Sequence, residues 1–261
     1  MRAESPYANP RVIESADDCE FYHSMDLAGA GLVRGHWDLR AGVRDYLGGI
    51  DVAGKRVLDI GTASGFLAFS MESAGAEVVG YDLSDEQDWD LVPFSDVDGE
   101  TERASRKQHI RRLNNSFWFA HRALASRVKL AQGSVYEIPA ALGTFDVAVF
   151  GAILLHLRDP FRALERGLAL VREAVVVTDV LPRRALRVPL LKRWLGPCLY
   201  FLPDAAARAP RDSWFRLSPQ AVAQMVGVLG FTESSVSFHT QIYDGLPQHM
   251  FTVVARRPAR A

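Results

Sequence analysis

VLDIGTASG (57–65), followed by VVGYDLS (78–84), is the stretch that decides the fold. RVLDIG (56–61) is a short apolar run ending in glycine, the pattern of a buried strand. Asp59 closes that strand, and Gly61 lets the chain turn sharply. Gly65 lets a helix start close to the sheet and to a ligand. AEVVGYDLS (76–84) is a second strand, and its acid, Asp82, comes 17 residues after Gly65. An acid there can accept both hydroxyls of a ribose. The combination predicts a nucleoside crevice at the carboxyl ends of two adjacent strands. A tight turn in an empty sheet is the plainer reading of the glycines alone.

Outward from this core the alternation continues. GFLAFSMESAG (65–75) has helical character, with Gly75 near its C-cap. RVKLAQGSVY (127–136), FDVAVFGAILLH (145–156) and EAVVVTDVL (173–181) read as further strands. PFRALERGLALV (160–171) reads as a helix between the last two. This predicts an α/β, Rossmann-like fold: a mostly parallel sheet covered by helices on both faces. SPQAVAQMVGVLGF (218–231) is a helix with Ser218 as N-cap and Pro219 at N1. TESSVSFHT (232–240) and MFTVVARRP (250–258) are two late strands joined through YDGLPQ. Before the core, the spacing from Trp37 to Leu47 is roughly helical. The expected domains are an N-terminal helical cap over 1–50 and a main domain over 51–257. The long segments at 85–126 and 182–217 break the alternation, and insertions of this length are usually lids or binding loops.

Composition narrows the class. The 261 residues carry 30 Lys+Arg against 31 Asp+Glu, which argues against a general polyanion binder. Hydrophobic residues make up 48%, an ordinary globular value that excludes a disordered chain. The two cysteines, Cys19 and Cys198, form no metal-binding spacing, so no metal site is expected. The first residues lack an apolar core of a signal peptide, and no run of about 18 apolar residues can cross a membrane. The expectation is a cytoplasmic protein, monomeric or homodimeric.

Asp59-Ile-Gly61-Thr-Ala63-Ser-Gly65 resembles D-x-G-x-G-x-G, motif I of the class I S-adenosylmethionine (SAM) methyltransferases, with Ala63 in place of the middle glycine. That substitution demands a backbone there that suits alanine. GSVYEIP (133–139) resembles a second motif of that superfamily, with Ser134 where an acid meets the adenine, and FDVAVFGAILLHLRDP (145–160) resembles its fourth. The late strand pair is similar to the superfamily's reversed final hairpin. The resemblance implies a seven-stranded sheet with a reversed last strand. It implies SAM as cofactor, S-adenosylhomocysteine (SAH) as product, and a binding site at Asp59, Gly61, Thr62, Ala63, Gly65, Asp82, Leu83, Ser134, Val135, Gly151 and Ala152. FYHSMDL (21–27), GHWDLR (35–40) and LLHLRDP (154–160) further resemble the tRNA wobble-uridine carboxymethyltransferases and their relatives. The N-terminal segment is much shorter than in those tRNA enzymes.

His156 follows the fourth strand at the catalytic edge; it is either a base or a structural histidine bonding a backbone carbonyl. Tyr22 and His23 are candidates to close over the methionine end, or else packed groups. Asn115, Trp118, Phe119 and His121, with Asn114, form a polar–aromatic cluster suited to a flat substrate, or a small core of the insertion's own. Arg103, Arg106, Lys107, Arg111 and Arg112, with Arg183, Arg184, Arg187, Lys192 and Arg193, form either a positive rim or solvated helix faces. The leading expectation is methyl transfer to a small-molecule acceptor. An RNA base methyl- or carboxymethyltransferase, a non-methylating SAM-using enzyme and a binding-only scaffold stand as alternatives.

Overall fold

The computed structural model describes residues 5–95, 98–181 and 196–259. An eight-stranded sheet forms its centre. Five parallel strands come from the predicted alternation: β4 (Arg56–Ile60), β5 (Glu77–Asp82), β6 (Lys129–Gln132), β7 (Phe145–Gly151) and β8 (Val171–Val180). The late pair, β11 (Glu233–Tyr243) and β12 (Leu246–Arg256), joins antiparallel through β12 on β8. Asp244 and Gly245 turn that hairpin with φ of 47° and 76°, the left-handed pair that a two-residue Asp-Gly turn requires. The strand order is β3-β11-β12-β8-β7-β4-β5-β6, where β3 is Trp37–Asp38. The expected seven strands become eight because β3 clips onto the hairpin tip, pairing Trp37 with Tyr243.

Alternation on each strand feeds two cores. Val57 of β4, Val147 and Val149 of β7, and Val176 of β8 face one layer. Leu58, Ala148, Phe150 and Val177 face the other. The first layer is covered by α2 (Phe66–Ser73) and α3 (Gly99–Ala123), the second by α4 (Pro160–Leu168) and α5 (Pro219–Val228). Strands buried on both faces explain the near-continuous apolar runs. The α5 cap is as the sequence predicts: Ser218 Oγ accepts from the Ala221 N–H.

Two expectations change. The helix expected from Trp37 to Leu47 shrinks to α1, Val43–Tyr46. The rest of the 1–50 segment holds a short hairpin, β1 (Met25–Leu27) with β2 (Gly31–Val33), so the cap is not mainly helical. The 85–126 stretch is not a detached insertion either. Its second half is α3, the crossover between β5 and β6, and Phe117, Trp118 and Ala120 pack it into the core. Of the 182–217 stretch, β9 (Leu199–Phe201) and β10 (Phe215–Leu217) form a small antiparallel pair. The basic residues Arg183, Arg184, Arg187, Lys192 and Arg193 lie outside the described residues. None of the described helices is long and apolar enough to cross a membrane.

Candidate active site

The chain lays β4, β5 and β6 outward in one direction, then returns to place β7 on the other side of β4. Strand order reverses there, and the carboxyl ends of β4 and β7 part to leave a crevice. A cavity of about 140 Å³ fills it. Gly61 and Ala63 of the glycine loop, Asp82 and Leu83 after β5, Ser134 and Val135 after β6, and Gly151 and Ala152 after β7 all line it. Eight of the residues expected to hold a cofactor thus come together from four separate strand ends.

The loop after β4 is tightly constrained. Gly65 sits at φ +90°, and a Cβ there would lie 2.5 Å from the Phe69 ring and 2.8 Å from the Phe117 ring. Ala63 has φ +48° and Ala152 has φ +51°. The expectation that the backbone suits alanine at position 63 is therefore overturned: the left-handed region costs an L-residue about 1–2 kcal/mol. Asp82 stabilises this conformation. Its Oδ2 accepts from the Ala63 N–H at 2.6 Å and its Oδ1 from the Leu83 N–H at 2.7 Å. Burial raises its pKa, while those two bonds oppose the rise. The acid expected to hold a ribose thus also holds the loop.

Asp59, Thr62 and Gly65 are not cavity walls but the floor behind them. Asp59 is buried, with both carboxylate oxygens lacking a hydrogen-bond partner. Burial, aided by the charge of Asp82, pushes its pKa up to about 7, while the neighbouring Thr62 hydroxyl opposes the rise without making a hydrogen bond to it. An unmet carboxylate pair under a glycine loop fits a ligand that brings a cation. Thr62 packs its side chain against the backbone of Gly80, on β5.

A second cavity, of about 320 Å³, adjoins the first. Tyr22, Trp89, Ala152 and His156 line both. Burial pushes the Tyr22 hydroxyl up to about 12, so it stays protonated. His156 Nδ1 lies 2.5 Å from the Asp212 carbonyl oxygen. A carbonyl only accepts, so Nδ1 carries the proton and, in the neutral ring, Nε2 carries a lone pair. Burial lowers the His156 pKa and keeps the ring neutral. His156 thus bonds a carbonyl, as the structural reading expects, and that bond leaves Nε2 as the ring nitrogen with the lone pair.

The other candidates fall elsewhere. His23 lines neither cavity; it is buried, its pKa pushed down to about 3, and its ring and backbone N–H both face Ser64 Oγ of the glycine loop. His23 contacts the glycine loop and lies outside both cavities. Asn115 donates to the Asp18 carbonyl at 3.0 Å, Phe119 packs edge-on to Phe21, and His121 Nε2 faces the Val128 carbonyl. Trp118 is only 3% exposed, inside the core. This cluster therefore belongs to the packing of α3, and only Asn114, one turn earlier, reaches the cavity. The first basic run is largely paired: Arg106 with Glu102 and Asp212, Lys107 with Asp88, Arg112 with Glu20.

Sequence reasoning missed the wall formed by Trp89, Asp90 and Tyr136. Asp90 Oδ2 accepts from the Tyr136 hydroxyl and from the Arg158 N–H, tying the loop after β5 across the crevice. Trp89 then stands between the two cavities, with His156 6.0 Å and His109 5.7 Å away. Ile110 and Leu113, one helical turn apart on α3, complete the apolar side. That spacing was readable; which face it occupied was not.

A doubly wound sheet with a reversed final strand, and a glycine loop and acid at its switch point, defines the class I SAM-dependent methyltransferases. The chain belongs to this class through the methyltransferase domain family, whose model matches residues 38–231. No curated protein sequence is similar enough to match the chain. Several solved structures share its fold. Magnesium protoporphyrin IX methyltransferase of Synechocystis PCC 6803, with SAH bound, is 14% identical over 84% of this chain and 82% of its own, with a TM-score of 0.52. The Burkholderia thailandensis 1,6-didemethyltoxoflavin-N1-methyltransferase, with 1,6-didemethyltoxoflavin and SAH, is 15% identical over 84% and 77%, with a TM-score of 0.50. The N-terminal domain of EvdMO1, solved in the presence of SAH and D-fucose, is 17% identical over 93% and 94%, with a TM-score of 0.51. At these identities the likeness is one of fold.

Proposed function

We propose that this enzyme transfers the methyl group of SAM to a small molecule held in the second cavity. The observation that carries the reading is the shared wall. Tyr22, Trp89, Ala152 and His156 face both the glycine-loop cavity and a chamber whose volume suits a small ligand. The ion pairing of Arg106, Lys107 and Arg112 speaks against a nucleic-acid backbone as the partner of α3.

In this reading Asp82 accepts the ribose hydroxyls, Leu83, Ser134 and Val135 border the adenine, and the loop from Gly61 to Gly65 cradles the methionine end. Asp59 lies beneath that loop as the acid for the amino group. SAM supplies an electrophilic methyl group on a sulfonium and leaves as the neutral thioether SAH. The chain's own contribution is positioning and the removal of water. Where the acceptor atom carries a proton, His156 Nε2 takes it as the new bond to carbon forms. Trp89 and Tyr22 wall the line between donor and acceptor.

Calorimetric titration with SAH tests the cofactor half, and mass spectrometry of the spent cofactor tests the transfer half. Micromolar SAH binding, weakened about 10- to 100-fold by Asp82→Ala, is expected, since a charge-assisted hydrogen bond is worth about 1.5–3 kcal/mol. Absence of SAH binding in the wild type refutes the reading. Methylthioadenosine in place of SAH as spent product would show aminocarboxypropyl transfer instead.

A further inference from the structure

Among the described residues that line the second cavity, one cation has incomplete contacts. Arg216 lies at the centre of β10, and its Nη1 is buried without a hydrogen-bond partner. Among the described residues it forms no ion pair. The other basic groups described around the chamber are engaged. Arg106 Nη2 lies 3.0 Å from Asp212, His109 Nδ1 lies 2.7 Å from Glu20, and His36 Nδ1 lies 2.8 Å from Asp244. Asp179, at the end of β8, is the acid whose charge interacts with Arg216. Yet the two share no hydrogen bond: Asp179 Oδ1 takes the Val180 N–H, and its Oδ2 is also buried without a partner.

A guanidinium presents a rigid fork of donors that matches an oxyanion, and a buried donor left unmet is costly. The chamber around it is aromatic: Tyr22, Trp37, Trp89 and Tyr243 all line it, with Trp37 and Tyr243 rings 4.8 Å apart. Flat rings suit such walls. Arg216 lines only the second cavity, whereas His156 lines both.

We propose that Arg216 is the specificity-determining residue of the acceptor chamber, and that the acceptor is a flat, aromatic small molecule bearing a carboxylate. The carboxylate is the handle. The atom that receives the methyl group is another atom of the same molecule, on the His156 side. This rests on the methyltransferase reading above.

The test uses the full chain loaded with SAH and a panel of hydroxylated benzoates and cinnamates, each paired with its neutral primary amide. Quenching of tryptophan fluorescence, with Trp37 and Trp89 in the chamber walls, reads binding. At least one acid is expected to bind about tenfold or more tightly than its amide, the effect of one charge-assisted contact. Arg216→Gln should erase that preference with SAH affinity unchanged, and Arg216→Lys should keep part of it. The wild-type comparison of acid with amide stands even if a variant fails to fold. No acid–amide difference across the panel, through equal binding or none, overturns the proposal. So does a preference that survives in Arg216→Gln. A carboxylate can also come from the donor side. If Arg216→Gln selectively weakens carboxy-SAM against SAM and no acid is preferred, the handle belongs to the donor and the proposal fails. Loss of SAH binding by the wild type is seen before any acid is added, and it marks failure of the cofactor reading instead.

Discussion

Replacing Asp59 by Asn should remove a pH-dependent loss of stability. Burial raises the carboxyl pKa from 3.8 to about 7 in the folded chain. Between those values the unfolded chain has released a proton that the folded chain still holds. The folded state binds more protons, so stability falls as pH rises through this window, and levels off above about 7. A shift of about 3 units at 1.36 kcal/mol each amounts to about 4 kcal/mol. For a chain of this size that is a melting difference on the order of 10 °C. Asp179, also raised to about 7 by burial, contributes a second loss of the same sign. His23, pushed down to about 3, acts oppositely: below its ordinary pKa of 6.5 the unfolded chain binds the extra proton. The informative quantity is therefore the difference between variant and wild type. Asn keeps the shape and stays unpartnered, so the change isolates the charge. Urea unfolding from pH 5 to 8.5 should show Asp59→Asn gaining on the wild type as pH rises, with Asp59→Asn/Asp179→Asn gaining about twice as much. Saturating SAH should flatten the wild-type slope, because its ammonium group compensates Asp59. A variant that tracks the wild type in parallel at every pH would refute the assignment of an unmet, proton-holding carboxyl under the loop.

Three further outcomes are expected. His156→Gln should lower kcat by about 10²- to 10⁴-fold for a protic acceptor while SAH affinity measured by calorimetry stays unchanged, since the general base is lost and the donor site is not. Gly65→Ala should cost on the order of 2 kcal/mol or more in urea unfolding and weaken SAH binding, because the new Cβ meets Phe69 and Phe117 at a left-handed φ. Trp118→Ala should cost about 3–5 kcal/mol of stability, read from the urea midpoint, yet leave the acceptor KM unchanged where the chain is folded; a raised KM would return Trp118 to the substrate site.

The residues proposed to hold the cofactor could be picked out in the sequence because they are tied to strand ends. Asp59, Gly61, Gly65 and Asp82 lie within a few positions of apolar runs whose period gives the strands, and the sheet's parallel order then brings those ends to one edge. The proposed acceptor chamber could not be picked out. Asn115, Trp118, Phe119 and His121 have the composition of a binding surface, but α3 is the crossover between β5 and β6, and its aromatic face covers the sheet. Composition cannot tell an aromatic face turned to the core from one turned to a ligand. The setting of His23 was equally hidden: its ring faces Ser64 Oγ, a partner 41 positions away in the chain.

The sequence by itself determined the sheet, its helical layers and the glycine loop with its acid, because each depends on local period and on the few backbone angles that glycine permits. It also determined that position 63 is an alanine where the resemblance leads one to expect glycine. Only the tertiary structure decided that this alanine is left-handed and held there by Asp82, that His156 shares a wall between two cavities, and that Arg216, from a strand pair near the C-terminus, stands with an unmet donor in the second. The last two of those facts arise where β3, the loop after β5, β10 and the final hairpin meet. Their meeting is set by packing between segments as far as 208 positions apart in the chain (Asp244 N–H, for one, donates to the His36 carbonyl at 2.8 Å), and no local pattern records such a distance.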